Sequence, residues 1–384
     1  MHDERGSSAG AARDRRRGLG RLVRIALLAL VFALPAAGAV LNFVVVYVDD
    51  SPAVPDGLDG AAGVAISPTG GHAYAVGHDD DALVVFVRDA TAETLSFVEV
   101  WFDQVAGVFG LDGASAVTVS PDSRHVYATA DGSDALAVFA RDPSMDSLSF
   151  VEAHLNAVGG VFGLDGASGV TVSLDGRHVF ATGAESDALA VFARDASLDT
   201  LTFVGAEVDG VGGVEGLDGA RAVTEDPVSG FVFVAGADDD AVAIFDRHPT
   251  GDDLVFLGSF TDGLGAVDGL DGAAAVLVTP DGSNLYVAGR DENAIAVFRS
   301  PLQVPKHLQV VRNGKKGISG LVAPWALALS DEPVPLCRHR RRRHDRGVPA
   351  RGARGQPDVP RFRRRCRRGR PAGRSRPRHE PGRQ

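Results

Sequence analysis

Five aspartates, Asp59, Asp112, Asp165, Asp218 and Asp271, stand 53 residues apart, each inside the tetrapeptide Gly-Leu-Asp-Gly. Carboxylates repeated at one period can converge on a common axis, and hard cations such as Ca²⁺ want several oxygen ligands, so the series is a candidate cation ring. The competing role is local, because an Asp between glycines can accept hydrogen bonds from nearby backbone N–H groups in a tight turn. Its presence in every unit favours the turn role. A second series, Asp81, Asp134, Asp187, Asp240 and Asn293, keeps the same period. The change to Asn retains the acceptor oxygen, which fits Asx-turn chemistry. A third series, His72, His125 and His178, gives way to Phe231 and Asn284 in later units. A position replaced that freely reads as an exposed turn.

Other chemistry is sparse. The chain has no Ser-centred nucleophile elbow, no HExxH zinc motif, no phosphate-binding loop and no twelve-residue calcium loop ending in Glu. The residues alone therefore assign no catalytic group and no cofactor beyond a calcium ion. Active sites must break the equivalence of repeats, so the better functional candidates are Trp101, Arg221, Glu225, His248, Arg290, Lys306 and Trp325. Of these, Trp325 lies in the first strand of its unit and reads as core.

The elements that would position these residues are short strands. In the unit beginning at Gly110, apolar runs cover Ala114 to Ser120, His125 to Ala130, Ala135 to Arg141 and Leu148 to Val151, the last continuing towards Leu155. They are rich in Val and Phe and are separated by turns of Pro, Asp, Ser and Gly, the pattern of antiparallel strands rather than helices. Four strands per unit make one propeller blade. The expected fold is all-β, a β-propeller of four-stranded antiparallel blades in 53-residue repeats, each burying its faces against its neighbours. Gly320-Leu321 is a degenerate sixth copy at spacing 51. About five to six blades of about seven are then present, and the ring is expected to be incomplete.

The cadence Ser-Pro-Asp-x-x-His-Val-Tyr-Ala-Thr from Ser120, followed by Asp-Ala-Leu-Ala-Val-Phe-Ala-Arg-Asp from Asp134 and Leu-x-Phe-Val from Leu148, resembles the repeats of the lactonase-type seven-bladed β-propeller family, the group similar to 6-phosphogluconolactonase. The resemblance spans about residues 41 to 330 and implies the fold. It brings no catalytic residue onto this sequence, and propellers host enzymes and binding proteins alike.

Charge divides the chain into three parts. Residues 1 to 24 carry a net +4, residues 337 to 384 carry +16, and the stretch between carries −31. So acidic an array repels phosphates and is not expected to bind nucleic acid. Residues 1–39 have the layout of a secretory signal peptide: a basic start, the apolar run Ile25 to Leu34, and small residues up to Ala39. Export would make the protein secreted or periplasmic. Retention of residues 25–48 as a signal anchor is the alternative, and only then is a membrane a partner. Leu41-Asn42-Phe43-Val44 matches Leu201-Thr202-Phe203-Val204, so residues 41 to 48 are expected to supply the fourth strand of a closing blade. The propeller repeats are assigned to residues 40–330. Cys337 and Cys366, the two cysteines of the chain, lie outside them.

Residues 331–384 read as an Arg-rich disordered tail. Their origin is legible: with arginine codons taken as CGN, reading one nucleotide later from Pro335 to Val348 permits Leu-Phe-Val-Ala-Thr-Ala-Val-Asp-Asp-Thr-Ile-Ala-Val-Phe, beside Val-Phe-Ala-Thr-Gly-Ala-Glu-Ser-Asp-Ala-Leu-Ala-Val-Phe at Val179 to Phe192. The spacing from Ser330 fits a net loss of two nucleotides, so the tail is expected to be the frameshifted remnant of a further blade. Two functions follow from these readings. The near-uniform blades suggest an exported, non-catalytic propeller that binds a protein or small-molecule ligand or serves as a scaffold. The resemblance implies the alternative, a lactonase-like hydrolase of a sugar lactone.

Overall fold

A computed structural model describes residues 56–329 except 93, 143–145, 248–250, 300–305 and 316–317. The expected signal peptide, the strand at 41 to 48, both cysteines and the Arg-rich tail lie outside the described residues. Five four-stranded antiparallel sheets follow one another in chain order. Blade 1 comprises β1 (Ala61–Ile66), β2 (His72–Gly77), β3 (Ala82–Asp89) and β4 (Thr94–Phe102). Blade 2 comprises β5 (Ala114–Val119), β6 (His125–Ala130), β7 (Ala135–Asp142) and β8 (Ser147–Leu155), close to the runs expected from sequence. Blade 3 is β9 (Ala167–Val172), β10 (His178–Gly183), β11 (Ala188–Asp195) and β12 (Thr200–Val208). Blade 4 is β13 (Ala220–Glu225), β14 (Phe231–Gly236), β15 (Ala241–Arg247) and β16 (Leu254–Thr261). Blade 5 is β17 (Ala273–Val278), β18 (Asn284–Gly289), β19 (Ala294–Arg299) and β20 (Lys306–Arg312). This is a β-propeller. Blades meet through their first strands, β1 on β5, β5 on β9, β9 on β13 and β13 on β17, which places those strands nearest the axis.

The second and third strands of each blade are apolar on both faces, because each face meets another blade. Tyr127, Leu136 and Val138 of blade 2 form one cluster with Val179, Ala181, Ala190 and Phe192 of blade 3. The pattern recurs between blades 1 and 2, 3 and 4, and 4 and 5. Small residues therefore face large ones across each interface, and the sheets interdigitate at high density. Among the described residues the ring is open: Val64 and Ile66 on β1 are 48% and 45% exposed, whereas their counterparts Val223 and Val278 are 9% and 7% exposed.

The histidine series is not an exposed turn. His72, His125 and His178 are 6%, 1% and 1% exposed, and each reaches into the next blade. His125 Nε2 lies 3.0 Å from Asp199 Oδ1, and its Nδ1 lies 2.6 Å from Arg194 Nη2, both on blade 3. Burial and the Arg194 charge pull the imidazole below its usual pKa, so the ring is neutral at pH 7. Its partners assign the tautomer: Nε2–H donates to the carboxylate, and the Nδ1 lone pair accepts from the guanidinium. His178 makes the same bond to Asp252 at 2.9 Å. The sequence pattern misled because the partners of each histidine lie in the next blade, 69 and 74 residues along the chain.

Candidate functional site at the channel mouth

Each Gly-Leu-Asp-Gly turn precedes a first strand and so sits at one end of the axis. Its backbone is held by the β2–β3-type turn of its own blade: Asp131 N–H donates to Gly113 O, and Ser133 N–H donates to Asp112 O. Its remaining donor is capped from the blade before. Asp81, Asp134, Asp187 and Asp240 accept from the N–H groups of Gly113, Gly166, Gly219 and Gly272 at 2.8, 2.9, 2.9 and 2.7 Å. Asn293 accepts from Ala323 N–H at 2.8 Å in the same way. The second series thus keeps its acceptor through the Asp-to-Asn change, as its chemistry required, but the bond crosses between blades and is not a local turn.

These caps also explain why the positions take only Asp or Asn, since all five have φ between 50° and 55°. That left-handed region penalises other L-residues least when a short polar side chain bonds nearby. Asp187→Ala should therefore cost about 2 kcal/mol, from left-handed strain and an unpaired Gly219 N–H. Asp187→Asn should cost close to nothing. Urea midpoints of the two variants check this pair of outcomes.

The motif aspartates stand beside these caps. Burial, followed by the neighbouring Asp134 carboxylate, raises the pKa of Asp165. Asp218 and Asp271 are raised in the same manner, with Asp187 and Asp240 as their neighbours. The side-chain bond to an adjacent glycine expected for a local turn is present at Asp59, whose Oδ1 accepts from Gly60 N–H at 3.0 Å. Elsewhere the side chains instead meet the preceding blade's carboxylate. The series Asp59, Asp112, Asp165, Asp218 and Asp271 thus keeps one place in every blade, in the turn before its first strand. A separate acidic trio, Asp262, Asp268 and Glu292, has potential ligand atoms within 4.8 Å of one another. There Arg312 already bridges Asp268 and Glu292 at 2.6 and 2.9 Å, a guanidinium where a metal would sit.

Equivalence breaks where blade 5 gives way to the next turn. Arg221, Ser115 and Ser168 occupy matching places on first strands, and Trp325 follows in the same place of the sixth repeat. Arg221 and Trp325 do come together, with the Arg221 guanidinium carbon 5.9 Å from the indole centroid, and Arg290 lies 5.0 Å from the same ring. The indole is 57% exposed, so Trp325 is not the core residue that its strand position suggested. Arg290 is held by Asp291 through Nε and Nη2, both at 2.8 Å. Those bonds depress the Asp291 carboxylate. Arg221 Nε is buried with no hydrogen-bond partner among the described residues. The rim thus carries a π face, two guanidinium groups beside it and, within Coulomb range of Arg290, the raised carboxyl of Asp271. Such a set can stack a sugar ring, bind a carbonyl or carboxylate oxygen and accept a proton. Of the other symmetry breakers, Glu225 is spent in the Arg247 bridge and Trp101 packs against Phe139 at 5.8 Å between ring centroids. His248 lies outside the described residues.

The fold is a β-propeller, and among known proteins it is similar to those of the lactonase type. The family model described as Lactonase, 7-bladed beta-propeller matches residues 154–263. A protein of Bacteroides uniformis provisionally named as a 6-phosphogluconolactonase is similar at 19% identity and TM-score 0.55, over 70% of this chain and 74% of that one. The periplasmic gluconolactonase of Pseudomonas aeruginosa is similar at 21% identity and TM-score 0.53, over 67% and 71% of the two chains. A Desulfotomaculum acetoxidans protein of unknown function aligns at 15% identity and TM-score 0.51, over 66% and 70%. At such identities the likeness is one of fold. No curated protein matches the chain in sequence. Among the described residues no helix is long and apolar enough to cross a membrane.

Proposed function

We propose that the protein is an exported lactonase-like hydrolase that takes a sugar lactone at the channel mouth. The observation that carries this reading is the meeting of Arg221, Arg290 and Trp325, three residues that break an otherwise repeated pattern at one place. The lactonase family match over residues 154–263 supports hydrolysis above the non-catalytic role that uniform blades suggest. The periplasmic location of the Pseudomonas neighbour is compatible with a periplasmic site of action.

In this reading the lactone ring stacks on Trp325, and Arg221 binds the carbonyl oxygen where negative charge develops. Asp271, raised by burial and by Asp240, accepts the proton of the attacking water. The ring C–O bond then breaks and the alkoxide takes up that proton, giving the open-chain acid. The test is gluconolactone hydrolysis followed by acid release above the buffer rate. Arg221→Ala should lower kcat/KM by about 100-fold, the usual scale for losing one oxyanion donor. Unchanged circular dichroism would show the blades intact. A wild-type rate equal to buffer, or an Arg221→Ala rate equal to wild type, would sink the reading.

A further inference from the structure

The far face of blade 5 is built as an interface but is not fully covered. In blades 1 to 4 the residues Tyr74, Tyr127, Phe180 and Phe233 are fully buried against the next blade. Tyr286, at the same place in blade 5, is half-buried, as is Ile295, whose counterparts Leu83, Leu136, Leu189 and Val242 are completely covered. The uncovered space is a groove of about 330 Å³, lined by Leu277, Tyr286, Ile295 and Val311 on one side and Leu327 and Leu329 on the other.

The next blade has been started correctly. Gly314 N–H donates to Ile318 O, as Gly263 N–H does to Val267 O one repeat earlier. Gly320 has φ 87°, beside 88°, 86° and 93° at Gly110, Gly163 and Gly216. Asn293 caps Ala323 as its counterparts cap the glycines, and Leu327 to Leu329 then run along the groove. What the groove lacks is the filling that blade 3 gives blade 2 with Val179, Ala181, Ala190 and Phe192. Read one nucleotide later, the codons of Pro335, Cys337, Arg346 and Val348 permit Leu, Val, Ala and Phe at those four places.

We propose that the far face of blade 5 is the seat of a sixth blade whose second and third strands are encoded one nucleotide out of frame with residues 331–384. This face lies apart from the proposed catalytic residues Arg221, Asp271 and Trp325, none of which lines the groove. The test compares the 384-residue chain with a version carrying two nucleotides inserted after the Ser330 codon. Both are made with Tyr286→Cys, and Cys337 and Cys366 of the chain as written are changed to Ser. Thiol labelling at position 286 should slow by at least about tenfold in the restored version, because reaction then needs local opening of the interface. Tyr127→Cys should label slowly in both.

If Tyr286→Cys does not fold, the unmutated pair is compared by urea unfolding. The restored chain should then show a higher midpoint and a larger m-value, since more surface is exposed on unfolding. Equal labelling rates, or equal midpoints and m-values, would overturn the proposal. Protection of position 286 that rises with protein concentration in the chain as written would also overturn it, by seating a second copy on the face.

Discussion

Arg194→Ala is expected to lower the unfolding free energy by about 3 kcal/mol, because several charge-assisted bonds and a buried acceptor are lost together. The Arg194 side chain is 3% exposed. It donates to Gly176 O at 3.0 Å, to both oxygens of Asp122 at 2.9 and 2.7 Å, and to His125 Nδ1 at 2.6 Å. Alanine leaves the imidazole nitrogen without its donor inside the blade 2 to blade 3 interface. Chemical unfolding at pH 7 measures the loss.

The same network sets two acid windows. The pKa of His125 is lowered in the fold, so the unfolded chain binds its proton first, and this contribution to stability is lost as pH falls below the usual histidine value. Protonation at Nδ1 would break the bond from Arg194 and set two cations face to face, with Asp199 and Asp122 as the acids that soften the clash. Asp122 behaves in the opposite chemical sense. Burial pushes it up, but hydrogen bonds from Ser120 and Arg194 outweigh burial and bring it to about 2. Its contribution is complete above the normal carboxylate range and fades as pH falls through about 2. A stability profile from pH 7 to 2 should therefore drop in two stages, and Arg194→Ala should flatten the lower one.

Gly163→Ala should be as damaging as the loss of Arg194. Gly163 has φ 86°, which an L-residue adopts at a cost of about 1–2 kcal/mol. A Cβ there would also stand 2.9 Å from Ala206 Cβ and 3.2 Å from Ala188 Cβ. Both neighbours belong to paired strands and have little room to retreat, so overpacking adds about 1–3 kcal/mol. Gly210→Ala is the matched control, since Gly210 has positive φ but open space around it. A thermal midpoint for Gly163→Ala no lower than that of Gly210→Ala would show that the close approach is not rigid.

The strands of blade 2 were legible in the sequence almost to the residue, because turn residues and apolar alternation are local signals. The degenerate turn at Gly320 was also legible, and Asn293 caps Ala323 there as its counterparts cap the motif glycines. Partnership across blades was not. A period of 53 says that Asp134, Asp187 and Asp240 do the same thing, but not whether the partner lies in their own unit or the next. The histidines were misread for the same reason: their partners are 69 and 74 residues away. At the rim, Arg221, Arg290 and Trp325 could be singled out as departures from the repeat. Their convergence needed the curvature that carries one blade to the next.

The carboxylate that each blade extends to its successor gives the array a direction. Gly219 obtains its cap from Asp187 and Gly272 obtains its cap from Asp240, always from the unit that leaves the ribosome earlier. Each blade after the first therefore takes its cap from an acceptor that precedes it in the chain. The caps thus form a relay with one sense along the chain, and its last step runs from Asn293 to Ala323.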